Sequence, residues 1–126
     1  MRTLVFATGN KHKAEEVQDF LGKGFALYCL KDVGITEDIP ETADTLKGNA
    51  LQKAEYVFNK TGKCCFADDT GLEVDALEGA PGVRTARYAG EGKSSDDNVS
   101  LLLKNLEGVT NRAARFRTVI AYIDTK

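Results

Sequence analysis

Hydrophobic positions along the chain alternate between short continuous runs and helical stripes. Leu4-Val5-Phe6-Ala7 is apolar without polar alternation, as expected of a strand covered on both faces. It breaks at Thr8-Gly9-Asn10, after which Ala14, Val17, Phe20 and Leu21 recur at helical spacing until Gly22 closes the stripe. Phe25 to Leu30 predicts a second, shorter strand nearer an edge, and Asp32 to Pro40 is a loop carrying several acids. A longer helix begins near Thr42 to Thr45, either of which can cap it. Leu46, Ala50, Ala54, Val57 and Phe58 form its apolar stripe, Lys47, Lys53 and Lys60 lie off it, and Gly62 ends it. Cys64 to Ala67 predicts a short buried strand ending in Asp68 and Asp69. Thr70 and Gly71 then supply a turn before Leu72, Val74 and Ala76 alternate with Glu73 and Asp75 in an extended segment.

Leu77 to Lys93 is rich in Gly and Ala, too apolar for a disordered linker and too broken for a regular element, and so reads as a functional loop. Ser94 and Ser95 open a helix with Asp96 and Asp97 in its first turn and Val99, Leu102, Leu103 and Leu106 as its buried face. Ala114 to Asp124 is β-rich. The order of strands and helices predicts an α/β fold, a mixed sheet flanked by helices, in a single domain over 1–126.

At 126 residues, with 42% hydrophobic and 29% charged positions, the composition is that of a globular chain able to bury a core. A net charge of −2 argues against a general nucleic-acid-binding role, so any polyanionic ligand must meet a local basic cluster. Cys29, Cys64 and Cys65 show no Cys-x-x-Cys spacing, and His12 alone cannot complete a zinc site with them. They predict buried free thiols in a reducing compartment, and no apolar run approaches the length of a membrane span, so the expected location is the cytoplasm.

Asp68 and Asp69 are the first chemical signal. Adjacent like charges repel and must shed water, so a chain keeps them at low cost where a cation or donor network lies between them. Mg²⁺ suits, because it takes oxygen ligands and retains waters that can be activated; a turn cap is the other reading. Thr8-Gly9-Asn10-Lys11-His12-Lys13 sits where a helix start can cradle a phosphate, with Lys13 leaning back over the same spot. The segment lacks the Walker spacing and is equally an ordinary strand–helix turn. Glu41 can be a helix-dipole partner, Lys53 a solvated lysine, and Arg84 and Arg87 either a phosphate clamp or surface charges. In open α/β sheets, however, ligands gather at the carboxyl ends of parallel strands. Lys13 and Lys53 with Glu41, Asp68 and Asp69 then make a mixed-charge pocket suited to a polyphosphate together with Mg²⁺.

Thr8-Gly9-Asn10-x-x-Lys13, Glu41-Thr42 leading to Asn49-Ala50-x-x-Lys53-Ala54, Ala67-Asp68-Asp69-Thr70-Gly71-Leu72-Glu73-Val74-Asp75-Ala76-Leu77 and Gly79-Ala80-Pro81-Gly82-Val83-x-x-Ala86-Arg87-Tyr88 closely resemble the inosine/xanthosine triphosphate pyrophosphatases. These are house-cleaning enzymes for deaminated purine nucleotides. The resemblance runs from residue 4 to about residue 123, in order.

It implies a nucleotide cleft between two lobes and a cytoplasmic homodimer that hydrolyses ITP, dITP or XTP to the monophosphate and pyrophosphate with Mg²⁺. A purine nucleoside triphosphate is then the partner, with no nucleic acid and no membrane. Thr8, Gly9, Asn10 and Lys13 would hold phosphates, with Lys53 assisting. Glu41 and Asp69 would bind the metal, Asp68 being a further candidate ligand. Asp69 also matches the general base, which with Mg²⁺ readies a water to attack the α-phosphorus. Thr70 stands where the family commonly has Ser and keeps the hydroxyl for a substrate contact; Ala43-Asp44 replaces a more usual Gly-apolar pair. Members of that family run on by roughly half this length again. Their Phe-Gly-Tyr-Asp-Pro and Ser-His-Arg segments and a further Lys, which recognise purine and phosphates, have no counterpart here. The resemblance therefore implies a fragment or truncated version. Such a piece is expected to show weak Mg²⁺-dependent triphosphate binding, little turnover, no preference for ITP over ATP and self-association through an exposed last strand. A non-catalytic metal- or phosphate-binding module is the alternative. A phosphatase with an aspartyl nucleophile would need Asp-x-Asp after the first strand, where Leu4 to Thr8 has none.

Overall fold

A computed structural model describes residues 2–90 and 94–125. Two compact units divide the chain: Met1–Ala43, Lys47–Asp68 and Ile120–Lys126 form the first, Asp44–Leu46 and Asp69–Val119 the second. Parallel strand pairs in the first and an antiparallel pair in the second make the sheet mixed, as expected of the α/β class. Among the described residues no helix is long and apolar enough to cross a membrane.

In the first unit β1 (Arg2–Phe6) pairs parallel with β2 (Phe25–Tyr28) on one side and with the start of β3 (Cys65–Val74) on the other. Side chains of a strand leave alternately from its two faces. Val5, Ala7, Cys65 and Ala67 accordingly share one face and pack with Ala54 and Val57 of α2 (Leu46–Thr61). Phe6 and Phe66 share the other, their rings stacked at 4.4 Å, and Phe6 packs with Ala14 of α1 (Lys11–Leu21). This two-sided cover explains why the run Leu4 to Ala7 is apolar without alternation. Phe20, expected on the buried stripe of α1, is instead 89% exposed, because at 100° per residue it stands well off the edge shared by Ala14, Val17 and Leu21. Cys29 and Cys65 are buried free thiols as expected, whereas Cys64 is half-buried. Burial pushes the Cys65 thiol up to about 11.

The second unit corrects the turn expected at Thr70 and Gly71. β3 continues unbroken to Val74 and pairs antiparallel with β4 (Pro81–Gly82), Leu72 opposite Gly82. Gly71 serves close approach, not a turn: a Cβ there would strike the Gly82 carbonyl. Thr85 Oγ closes the same corner, accepting from the Leu72 N–H at 2.8 Å and donating to the Gly82 carbonyl at 2.5 Å. β3 also pairs with β5 (Ala114–Ile123). Thr70 meets Thr118 at 2.8 Å and Glu73 meets Arg115 at 2.8 Å, an opposite order along the two strands that makes them antiparallel. The Arg115 hydrogen bond, aided by Arg117, holds the Glu73 carboxyl below the usual carboxylate range.

A 3-10 turn over Asp75–Leu77 replaces the end of the expected extended segment. The loop that follows contains one more, Thr85–Arg87, and its Glu91-Gly92-Lys93 end lies outside the described residues. α3 (Ser95–Asn105) starts at a capping box between Ser94 and Asp97. Of its expected buried face, Leu106 is buried and Leu102 half-buried, but Val99 and Leu103 are each 53% exposed. The stripe thus packs along one edge only. On β5, Phe116, Ile120 and Tyr122 are exposed, matching the apolar flank expected of the last strand.

Gly71→Ala should destabilise the protein by about 1–3 kcal/mol, since backbone must shift to admit the methyl group. Gly24→Ala, which meets nothing within 4 Å, should leave stability nearly unchanged. Urea unfolding of both variants checks this, and equal midpoints would refute the close-approach account.

Candidate functional site

The site grows from the turn between β1 and α1. Asn10 is the N-cap of α1, its side chain accepting from the Lys13 N–H at 3.2 Å, and Thr8 Oγ accepts from the Asn10 N–H at 3.1 Å. Both side chains are thus turned back onto the backbone and shape the helix entry. Such a cap is worth about 0.5–2 kcal/mol and leaves the positive helix end open to an anion.

Parallel pairing with β1 carries β3 past this turn. The Ala7 N–H donates to the Phe66 carbonyl at 2.9 Å, so Asp68, two residues further along, leaves β3 from the face it shares with Phe66 and α1. Lys13 Nζ meets Asp68 Oδ2 at 2.6 Å and lies 5.5 Å from the centroid of the Phe6 ring. A second pair stands on the α2 side, where Lys53 Nζ is 3.3 Å from Glu41 Oε1. Thr8, Gly9, Lys13, Glu41, Lys53 and Asp68 all line one cavity of about 520 Å³, within the first unit. Lys31, Glu37 and Asp38 line it too, so three ammonium groups and four carboxylates share a space able to accept a polar ligand of drug size.

Asp69 and Thr70 belong to the second unit. As neighbours in a strand, Asp68 and Asp69 project from opposite faces of β3. Asp69 is half-buried, and the Thr70 hydroxyl is engaged by Thr118. Arg84 and Arg87 also lie in the second unit, at a 3-10 turn over Thr85–Arg87.

Glu37 also lines the cavity and was not anticipated. The Tyr56 hydroxyl donates to its Oε2 at 2.5 Å and Lys60 Nζ lies 3.0 Å from the same oxygen. These contacts, the Tyr56 bond foremost, hold the Glu37 carboxyl down at about 2. A signal was present in the sequence: Lys53, Tyr56 and Lys60 recur at helical spacing on α2. Their partner in the preceding loop, with no periodicity of its own, could not be read from that pattern.

The profile of the Ham1 family matches residues 4–126. A dITP/XTP pyrophosphatase of Flavobacterium johnsoniae is 58% identical over 117 residues, covering 93% of this chain and 61% of that protein. One from Porphyromonas gingivalis is 56% identical over 125 residues, covering 98% of this chain and 64% of the relative. Among solved structures, the Staphylococcus aureus Ham1 protein superposes with a TM-score of 0.88 at 35% identity, over 98% of this chain and 64% of that one. A HAM1 protein from Coxiella burnetii gives 0.89 at 33% identity with the same coverage of both chains. This chain therefore spans 61% and 64% of the length of the two pyrophosphatases. The resemblance drawn from the motifs is borne out: the chain belongs to the Ham1 family.

Proposed function

We propose that the chain serves the hydrolysis of deaminated purine nucleoside triphosphates, dITP and XTP with ITP, to the monophosphate and pyrophosphate. The observation that carries this reading is the pairing of two of the cavity lysines with carboxylates, Lys13 with Asp68 and Lys53 with Glu41. Such pairs suit a ligand that brings its own negative charge. Phosphate oxygens can take over the two ammonium groups, releasing the carboxylates for a cation that travels with the phosphates. The names of the curated relatives support hydrolysis over a non-catalytic binding module.

The donor set fits Mg²⁺, which uses one or two carboxylates besides substrate phosphates and waters. Glu41 would hold it, with Asp68 from the same cavity as the further ligand; Asp69, the ligand that the family resemblance implies, leaves β3 from the other face. When bound, the ion neutralises phosphate charge and eases deprotonation of water. The chain's own residues do the remainder. Gly9 and the α1 start receive phosphate oxygens, and Lys13 and Lys53 balance the charge of the departing pyrophosphate. Asp69 accepts the proton of the attacking water as general base. Thr70 offers a hydroxyl to the substrate once it exchanges Thr118 for it.

A screen of nucleoside triphosphates with Mg²⁺, following pyrophosphate release by the intact protein, tests the assignment. Release from dITP or XTP well above that from ATP is expected; equal rates would overturn it. Asp69→Asn should lower kcat by about 100-fold or more, as loss of a general base does, while circular dichroism stays unchanged. Near-normal turnover would remove Asp69 from the mechanism. Lys13→Ala and Lys53→Ala should weaken triphosphate binding much more than monophosphate binding, read by calorimetric titration. Equal losses would show that neither lysine faces the terminal phosphates.

A further inference from the structure

The loop that carries Glu41 has no secondary structure of its own between the 3-10 turn at Lys31–Val33 and α2, yet it is tied at several points. Gln52 grips Thr42 twice: its Oε1 accepts from the Thr42 N–H at 2.9 Å and its Nε2 donates to Thr42 Oγ at 3.0 Å. Asn49, only 2% exposed, accepts from the Ala43 N–H at 2.9 Å. Upstream of Glu41, Tyr56 and Lys60 hold Glu37. Tyr56 packs against the core shared by β1, β3 and α2, so its hydroxyl is aimed from a fixed ring.

Every one of these anchors lies on a single helix. At 3.6 residues per turn, Asn49, Gln52, Lys53, Tyr56 and Lys60 fall within a stripe about 100° wide on α2. Beside it lies the apolar stripe of Leu46, Ala50, Ala54 and Val57, all buried. Lys53, the partner of Glu41, stands at the edge of the polar stripe next to the apolar one, with anchors before and after it along the helix. One rigid helix thus presents Lys53 and also sets the path of the loop that brings Glu41 to it.

We propose that Gln52 and Tyr56 are positioning residues, which hold the loop so that the Glu41 carboxylate faces Lys53 and the cavity. Both act through neighbours of Glu41: Gln52 on Thr42, next to it, and Tyr56 on Glu37, one loop segment earlier. The inference rests on the role proposed above for Glu41 toward Mg²⁺ and phosphate. Groups that orient a ligand from outside the coordination shell typically change metal affinity or activity 10–100-fold when removed.

Gln52→Ala and Tyr56→Phe in the intact protein test this, the latter deleting only the hydroxyl. Three quantities are read: amide hydrogen exchange, Mg²⁺ affinity by calorimetry, and kcat/KM for dITP across Mg²⁺ concentrations. In Gln52→Ala the Thr42 amide should exchange about 10-fold faster or more, while Ala54 and Val57 amides keep their rates. Both variants should bind Mg²⁺ about 10–100-fold more weakly and regain turnover when Mg²⁺ is raised. Unchanged Thr42 exchange together with unchanged Mg²⁺ affinity overturns the proposal. So does uniformly faster exchange that includes Ala54 and Val57, which would mark a general loss of stability. If the unaltered protein releases no pyrophosphate from dITP or XTP, the functional reading fails, and the exchange rates alone still decide whether the loop is held.

Discussion

Two backbone hydrogen bonds, from the Val5 N–H to the Cys64 carbonyl at 3.0 Å and from the Ala7 N–H to the Phe66 carbonyl at 2.9 Å, set the register of β1 against β3. A slip of one residue would send every side chain of β3 to the other face. Ala67 would then leave the α2 side, Phe66 would lose its stack on Phe6, and Asp68 would point away from Lys13. The register is held by what it buries. Val5 and Cys65 are fully buried on one face while the two stacked rings fill the other, so both faces oppose a shift.

From that register the cavity follows in a chain of local causes. β1 stops at Phe6 while β3 continues, which leaves Asp68 beside the β1–α1 turn. Asn10 starts α1 at that turn, and Lys13 arrives one turn into the helix, over the Phe6 ring and against Asp68. Partly exposed ion pairs of this kind add little to stability, often under about 1 kcal/mol. Lys13 is 45% and Glu41 42% exposed in their side chains, so both remain accessible to an anion or a cation from solvent. An arrangement that costs little to open is what a binding site for a charged ligand requires.

The two units use helices in a similar way. In the first, polar residues of α2 bind the loop that precedes it. In the second, Asn98 of α3 accepts from the Ala89 N–H at 2.7 Å and donates to the Ala86 carbonyl at 3.0 Å, while Asn105 donates to the Tyr88 hydroxyl at 2.7 Å. A loop without ladder hydrogen bonds must satisfy its backbone elsewhere, and a helix can supply fixed side-chain partners at intervals of one or two turns. Residues 86–89 of the Gly- and Ala-rich segment that looked too broken to be an element are held in this manner.

Much of this was legible in the sequence, because it depends on neighbours along the chain. The apolar run of β1, the stripe of α2, the capping signal at Ser94 and the family motifs around Asn10, Lys53 and Asp68 are all local patterns. The continuation of β3 through Thr70 and Gly71 was not, because Thr-Gly favours a turn until Gly82 approaches and takes the space of a side chain. Nor were the exposure of Phe20, Val99 and Leu103, or the hold of Tyr56 on Glu37, since periodicity says which residues share a face but not what covers it. Spacing alone also drew Asp68 and Asp69 together as a pair, whereas strand geometry sends them to opposite faces. Local sequence therefore determined the elements and the residue types of the site. Tertiary structure decided which faces were buried and which charges met, because those depend on segments brought together only by folding.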